Sequence, residues 1–489
     1  MALELVLAEL RLPPVPGEAR QQRLYRVLKQ AMLEGRLLAG LRLPASRQLA
    51  VDCGMSRNGV LYAYQQLLAE GFLAADRGGT RVAVLPQRSE PPAAVARAGI
   101  LSRRAGTLIA TQRGETTLPF APGVPDLNAF PWPVWARMLQ DAWREVGARH
   151  LAYAAAGGEP ALRSAVAAFL AARRGVACTP EQVFIVPGGN VALDACARLL
   201  ADPGDVVWLE DPGYPAARNA MLAAGLRTVP VAVDDEGMVA DDTLWRTQPP
   251  RLIFLTPSHQ YPGGSVLSLE RRLALLNRLE AGGNWLIEDD YDSEFNHARP
   301  GARPLPAIQG LRPEAPVIYL GTFSKLLYPG LRIAYLVVPR WAVSSFGQAL
   351  SGLYRGGQAV EQRALARMLD SGRITRHLRT MAPIYRERQQ VLRTALEKHF
   401  PEARIAGGQA GLHLTLHLPD ASPDTEIVAA AARLGVSARA LSGYFAGCGG
   451  DNGLVLGYGM ADAALIPELV RRLALASRRE HGSVIAGNS

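Results

Sequence analysis

After about residue 118 the chain repeats one pattern: a short β-rich run, a polar residue at its end, then a helical stretch. The runs are "QVFIVPG", "DVVWLEDPGYP", "RLIFLTPSHQYPGG", "NWLIEDDYDSEF" and "VIYLGTFSK". Strands separated by helices at this spacing pair in parallel through crossovers, which specifies a three-layer α/β domain around a largely parallel sheet. Ligands of such sheets bind outside the carboxyl ends of the strands. Asp211, Tyr214, His259, Asp289, Tyr291 and Lys325 stand at those ends. At 489 residues the chain exceeds what one core organises, so at least two domains are expected.

The first part of the chain differs in chemistry. Residues 1–117 hold 16 Lys and Arg against 9 Asp and Glu, a net +7 of the total +9. The remaining 372 residues carry 37 against 35, and all seven tryptophans follow residue 130. A compact basic domain beside a neutral one indicates that nucleic acid meets the N-terminal part. There, Leu24, Val27, Leu28, Ala31 and Met32 recur at helical spacing, and Gly35, Gly40 and Pro44 break that helix. Ser46 is expected to cap a short second helix ended by Gly54. Ser56 is expected to cap a third, with Leu61, Tyr64, Leu67 and Leu68 on one face. "FLAADRGGTRVAVL" alternates around "RGG" and reads as a two-stranded wing. The order is a winged helix-turn-helix over residues 1–84. Residues 85–117, rich in Pro, Ala and Arg, read as a basic linker, and 118–489 as the second domain with a smaller C-terminal subdomain.

Other classes are disfavoured. No stretch of 18 apolar residues indicates a membrane span, and "MALELVLAEL" lacks a basic n-region. Cys53, Cys178, Cys196 and Cys448 show no CxxC or metal-ligand spacing and read as reduced core residues, with no metal expected. A cytoplasmic protein is the expectation.

The large domain is most informative at one lysine. Of 53 basic residues only three are lysines, Lys29, Lys325 and Lys398. Arginine cannot condense with an aldehyde at neutral pH, whereas a desolvated lysine can. Lys325 follows a strand, with Thr322 and Ser324 beside it and Arg332 seven residues on, after a Pro-Gly turn. Gly188, Gly189 and Asn190 open a helix whose backbone N–H groups favour phosphate. Asp289 can keep a pyridinium nitrogen protonated, Tyr291 can bond a phenolate oxygen, and Tyr214 can lie against an aromatic ring. Together these residues supply what pyridoxal 5'-phosphate requires of a protein.

The combination resembles the fold-type-I aminotransferase superfamily over residues 118–475. The resemblance implies that Lys325 forms a Schiff base with the cofactor. One departure is visible: the superfamily's "NPxG"-like asparagine at the phenolate oxygen is here in "SHQYPGG", with Tyr261 at its place and His259 or Gln260 as substitutes. For the arginine that holds a substrate carboxylate, the candidate is Arg439 in "SARALSGYF".

The first domain resembles the winged helix of the GntR family through "GRL-x-x-G-x-RLP", "SRQLA", "SRN-x-V", "Y-x-x-L-x-x-EG" and the glycine-bearing wing. This implies that Arg57, with Ser56 and Asn58 at the tip of the recognition helix, reads guanine in the major groove. Arg47, Ser56 and Tyr64 are expected on phosphates, and Arg77, Gly79 and Thr80 on the wing near the minor groove. The two domains joined by a basic linker resemble the MocR subfamily. That resemblance implies a cytoplasmic, nucleoid-associated regulator that binds double-stranded operator DNA and senses pyridoxal phosphate or an amine through it. It also implies a head-to-tail, domain-swapped homodimer in which Tyr153 of one chain reaches the phosphate of the other. The alternative is a working aminotransferase with an accessory DNA-binding domain; Lys325, Asp289 and Arg332 serve both.

Overall fold

The computed structural model describes residues 2–11, 17–76, 78–84, 101–102, 104–106, 108, 118–154, 157–295, 297, 305–419, 423–447 and 450–485. The chain divides into two units, residues 1–100 and 101–489. Nearly all of the linker read over 85–117 lies outside the described residues, as does Arg77.

The first unit is built on helices whose apolar positions recur every three or four residues. Helix α1 (Ala2–Ala8) contributes Val6 to the core. On α2 (Arg20–Leu33), Leu24, Val27, Leu28, Ala31 and Met32 form the buried stripe that their spacing predicts. Helices α3 (Ser46–Asp52) and α4 (Arg57–Ala69) pack against it through Leu49, Val60, Ala63 and Leu67. Ser56 caps α4, its hydroxyl accepting the Gly59 N–H at 3.2 Å. Ser46 does not cap α3: the cap position is Ala45, and Ser46 is the first helical residue. The wing pairs β1 (Leu73–Asp76) with β2 (Gly79–Val82) in antiparallel register, Leu73 opposite Val82. It gains a third segment from "GLRL": Gly40 N–H donates to Val82 O at 2.8 Å and Leu43 N–H to Thr80 O at 2.9 Å. The two-stranded reading missed this because Gly40 and Pro44 mark a loop without saying what the residues between them pair with.

In the second unit, an eight-stranded sheet runs in the order β3, β10, β9, β8, β7, β4, β5, β6. The strands are β3 (Val183–Val186), β4 (Val206–Asp211), β5 (Arg227–Asp234), β6 (Gly237–Met238), β7 (Leu252–Leu255), β8 (Trp285–Asp290), β9 (Val317–Thr322) and β10 (Ala334–Val337). The five strands from β9 to β5 are mutually parallel; β10 lies antiparallel between β3 and β9, and β6 antiparallel at the edge. Strands β3, β7 and β10 are buried along their whole length, as expected of a sheet covered on both faces. The covering helices include α5 (Pro160–Arg174), α6 (Gly189–Leu200), α7 (Pro215–Ala224) and α8 (Leu269–Gly282).

A 27-residue helix, α9 (Arg373–His399), leads to a smaller antiparallel sheet ordered β11 (Arg404–Ala406), β12 (His413–His417), β14 (Gly453–Gly457), β13 (Arg439–Ala440). Helices α10 (Asp424–Arg433) and α11 (Ile466–Ile485) pack with it. This is the smaller subdomain the sequence reading places at the C-terminal end.

One buried cation holds the two layers of loops together. Arg272 on α8 is fully buried and donates to three backbone carbonyls, Leu267 at 2.9 Å and Pro306 and Pro257 at 2.8 Å each. The loop from Pro257 carries His259 and Tyr261, so Arg272 fixes part of the site from beneath. Replacing it removes all three bonds at once: Pro257 O keeps the Leu267 N–H, while the carbonyls of buried Leu267 and of Pro306 lose this donor. Arg272→Ala is expected to lower the unfolding free energy of the large unit by about 3 kcal/mol or more, read from the denaturant midpoint.

Candidate functional site

The carboxyl ends of the parallel strands and the edge of the smaller sheet meet at one place. Alternation along β8 sends Asp289 and Asp290 to opposite faces. Asp290 is neutralised by Arg174 at 2.6 Å, both side chains 2% exposed, and accepts the Tyr319 hydroxyl at 2.7 Å. Among the described residues no guanidinium lies within ion-pair distance of Asp289. Burial pushes its carboxyl up to about 8, Asp290 adds to the shift, and the charge of Lys325 opposes it.

Lys325 sits in the turn after β9, its Nζ donating to Gly123 O at 2.7 Å. Gly123 has φ +74°, and a Cβ there would lie 2.9 Å from that nitrogen, so the close approach requires glycine. Beside Lys325, the Thr322 and Ser324 hydroxyls lie 3.0 Å apart. Arg332 takes the left-handed conformation, φ 52° and ψ 42°, which strains a non-glycine residue. The fold holds that strain where the guanidinium reaches the start of α6: a Cβ at Gly188 would lie 2.8 Å from its central carbon. Gly188 caps α6, with Gly189 and Asn190 as the first helical residues. Lys325, Asp289, Arg332 and the Gly188–Asn190 turn, far apart in sequence, thus stand at the same end of the sheet on neighbouring strands, since the start of β10 lies opposite the ends of β3 and β9, and β9 pairs with β8.

Tyr261 is the hub of the pocket's aromatic side. Its ring meets Tyr214 at 5.7 Å, Tyr291 at 5.8 Å, His413 at 5.1 Å and Tyr444 at 5.3 Å, all nearly edge-on. Its hydroxyl lies 3.0 Å from that of Tyr444, and burial holds it well above the ordinary phenol range. Gln260 is not the replacement for the missing asparagine: its amide donates to Pro212 O and Tyr261 O and accepts the Gly263 N–H. The Tyr291 hydroxyl donates to His259 O at 3.0 Å. His259 Nδ1 faces Asp292 at 3.0 Å, while its Nε2 is buried with no hydrogen-bond partner among the described residues. His413, from β12, is held well below the ordinary imidazole range by burial, with His259 and Lys325 adding to the effect, and stays neutral. Arg439 is half-buried on β13, opposite Val455 of β14, and its charge is felt at Tyr261.

The smaller sheet's Leu441–Tyr444 turn and the residues after it tie down the near side. Gly213 N–H donates to Tyr444 O, Arg218 to Phe445 O at 2.7 Å, and Ala446 N–H to Asp211 at 2.8 Å. Asp211 therefore joins the two sheets. Tyr153 lies outside its own pocket, 85% exposed, with the Arg355 guanidinium 5.0 Å from its ring centroid.

In the first unit, Arg47, Arg57 and Asn58 are exposed, and among the described residues neither arginine has a carboxylate within ion-pair distance. Tyr64 departs from its expected place on phosphate: it is 5% exposed and its hydroxyl donates to Pro44 O at 2.9 Å. Helical spacing puts it on the inner face with Val60 and Leu67, so it is a core residue. Gly79, at φ +116°, leaves room for the Arg42 side chain, 3.1 Å from its would-be Cβ, and Thr80 is half-buried on β2. Arg42 bridges to Arg81 across the wing. Arg42 belongs to the motif "GRL-x-x-G-x-RLP", but neither it nor Arg81 is among the expected DNA contacts.

Residues 20–82 match the family model for bacterial regulatory proteins of the gntR family, and residues 118–442 that for aminotransferase class I and II. The chain is 40% identical over 462 residues, 92% of each chain, to a probable rhizopine catabolism regulatory protein, MocR, of Rhizobium meliloti. The chain is a MocR-type regulator of the GntR family. Another relative of this MocR-type chain is the pyridoxine biosynthesis transcriptional regulator PdxR of Corynebacterium glutamicum, 32% identical over 89% of this chain and 91% of that one. Among solved structures, the alpha-aminoadipate aminotransferase LysN of Thermus thermophilus, complexed with N-(5'-phosphopyridoxyl)-L-leucine, superposes with a TM-score of 0.68. It is 31% identical and covers 78% of this chain and 95% of its own.

A MocR-type regulator binds DNA through its GntR domain and pyridoxal phosphate through its aminotransferase-like domain. The residues present fit that cofactor. Gly188 leaves open the space beside Arg332 that a side chain would fill, and Asp289 is a buried carboxyl that a cationic ring nitrogen would ionise. Among the described residues no helix is long and apolar enough to cross a membrane.

Without cofactor, a carboxyl whose folded pKa exceeds its unfolded value favours folding while protonated. For Asp289 that contribution is complete below about 4 and is lost as pH rises through about 8. In cofactor-free protein, Asp289→Asn is expected to flatten the decline of stability across that window, by up to ~1.4 kcal/mol per pH unit. Denaturation midpoints at a series of pH values measure it; equal slopes in the two proteins would refute it.

Proposed function

We propose that the protein is a cofactor-dependent switch on DNA, in which Lys325 holds pyridoxal phosphate and the pocket reads an amine that competes for it. What supports this reading most is that Lys325, Asp289 and the Gly188–Arg332 cradle stand at one end of the sheet on neighbouring strands, with the charge of Lys325 felt at Asp289. When bound, the cofactor supplies an aldehyde that combines reversibly with primary amines.

The residues divide the work by position. Gly188, Gly189, Asn190, Thr322, Ser324 and Arg332 hold the phosphate. Asp289 holds the ring nitrogen's proton, Tyr214 lies against the ring, and Tyr291 with His259 lies on the side of its phenolate oxygen. Arg439, beside the Tyr261–Tyr444 pair, receives the effector's carboxylate. Tyr153, exposed on its own chain, reaches the phosphate of a partner in a head-to-tail, domain-swapped dimer. On DNA, Arg57 and Asn58 read base edges while Arg47, Ser56, Thr80 and the wing glycine Gly79 approach the backbone and minor groove.

A sensor needs unequal ligand affinity between two conformations, whereas an enzyme must stabilise a transition state. The switch is tested by letting the protein select its site from a random duplex library and measuring affinity for that site in three states: cofactor-free, with pyridoxal phosphate, and with pyridoxal phosphate plus each of a panel of amines. An affinity change of about 5- to 150-fold between states is expected, and Lys325→Ala should bind DNA but lose the response to amines. Equal affinity in all states, with steady-state transamination above ~1 per second, would instead support a working aminotransferase.

A further inference from the structure

The large unit carries a basic surface that neither the pocket nor the winged helix uses. Helix α9 contains seven basic residues, Arg373, Arg376, Arg379, Arg386, Arg388, Arg393 and Lys398, against Glu387 and Glu397. This excess of five stands in a region of otherwise nearly balanced charge, 37 basic against 35 acidic residues after position 117. Its arginines fall into two sets. Arg388 turns inward to pair with Asp126 at 2.7 Å, and Arg393 donates to Gly407 O at 2.9 Å. Arg376, Arg379 and Arg386 are exposed, and among the described residues none has a carboxylate within ion-pair distance. At 3.6 residues per turn the three share an arc of about 80° and extend about 15 Å along the axis. Glu387 borders the stripe, Glu397 lies about three turns further on, and half-exposed Arg373 continues it toward the N-terminus.

Among the described residues these three arginines make no ion pair, so pairing within the fold does not account for the stripe. We infer that the Arg376–Arg379–Arg386 face of α9 is a second DNA-contacting surface, one that binds the phosphate backbone of a duplex without reading its sequence. Guanidinium groups match phosphate oxygens, and a duplex offers along such a length several phosphates on each strand. The protein already binds DNA through its GntR domain, so the polyanion that complements the stripe is a ligand it holds at high local concentration. The consequence is an affinity and a salt dependence larger than the winged helices alone would give.

The full-length holoprotein is titrated with a long duplex of arbitrary sequence between about 50 and 200 mM salt. The Arg376→Gln, Arg379→Gln, Arg386→Gln triple variant is expected to lose about 0.9 of the log–log salt slope per contact, or roughly 2–3 in all, and to bind about tenfold more weakly. The matching triple Lys variant should keep both, since phosphate accepts a point charge. Cofactor absorbance and thermal midpoint, read on the same samples, should match the parent. A Gln variant with the parent's slope and affinity overturns the inference and leaves the stripe to an acidic protein surface. A Lys variant that weakens as much as the Gln variant overturns it too, because the effect would not be one of charge.

Discussion

A buried carboxyl and a half-buried amine at the ends of neighbouring strands set the terms for the rest of the large domain. Asp289 is disfavoured as an anion by burial and by Asp290, Asp292 and Glu210, and Lys325 is the cation that offsets this. Much of the surrounding structure can be understood as keeping those groups dry, close and otherwise undistracted. Asp290, one residue on, has its own buried guanidinium in Arg174. Arg272 holds the loop bearing His259 and Tyr261 through backbone carbonyls alone. Gly123, at φ +74°, accepts the lysine N–H at its carbonyl, with the nitrogen 2.9 Å from where a Cβ would stand. In the proposed reading, a ligand with a cationic ring nitrogen and a phosphate would meet the raised carboxyl of Asp289 and the guanidinium of Arg332, whose backbone is left-handed. The pocket is built to gain charge complementarity on binding.

The parts of this that were legible in the sequence are those encoded locally. Strand–helix alternation gave the sheet, the polar residues ending each apolar run gave the rim of the pocket, and the rarity of lysine singled out position 325. The winged helix was legible in the same way, from the stripe on α2 and the cap at Ser56. Where the reading failed, the deciding contact was distant. Tyr64 has the type and region of a phosphate ligand, but Pro44, twenty residues earlier, takes its hydroxyl. The third wing segment depends on pairing across about forty residues. Tyr261 stands where an asparagine is usual, and nothing near it in sequence shows that His413 and Tyr444, from the smaller sheet, enclose it. Gln260 likewise fits the part of a substitute donor until its three backbone partners are seen.

Those enclosing contacts also bear on sensing. Residues 441–446 bind the end of β4, the loop after it and the start of α7 through Asp211, Gly213 and Arg218, so the smaller sheet is joined to the large one beside Tyr214. A ligand that pushes on Tyr214, Tyr261 or Tyr444 acts on that joint as well as on the pocket. Differential contact of this kind is what a ligand needs to shift a conformational equilibrium.

The central claim, that one lysine holds the cofactor, can be tested with unusual economy because the chain has only three. Lys29 is paired with Glu70 in the winged helix, and Lys398 closes the last turn of α9. Purified protein loaded with pyridoxal phosphate is reduced with borohydride, digested and mapped by mass spectrometry. A phosphopyridoxyl adduct on Lys325 alone is the expected result. An adduct on Lys29 or Lys398 in its place, or no adduct on a chain that still absorbs as a cofactor imine, would contradict it.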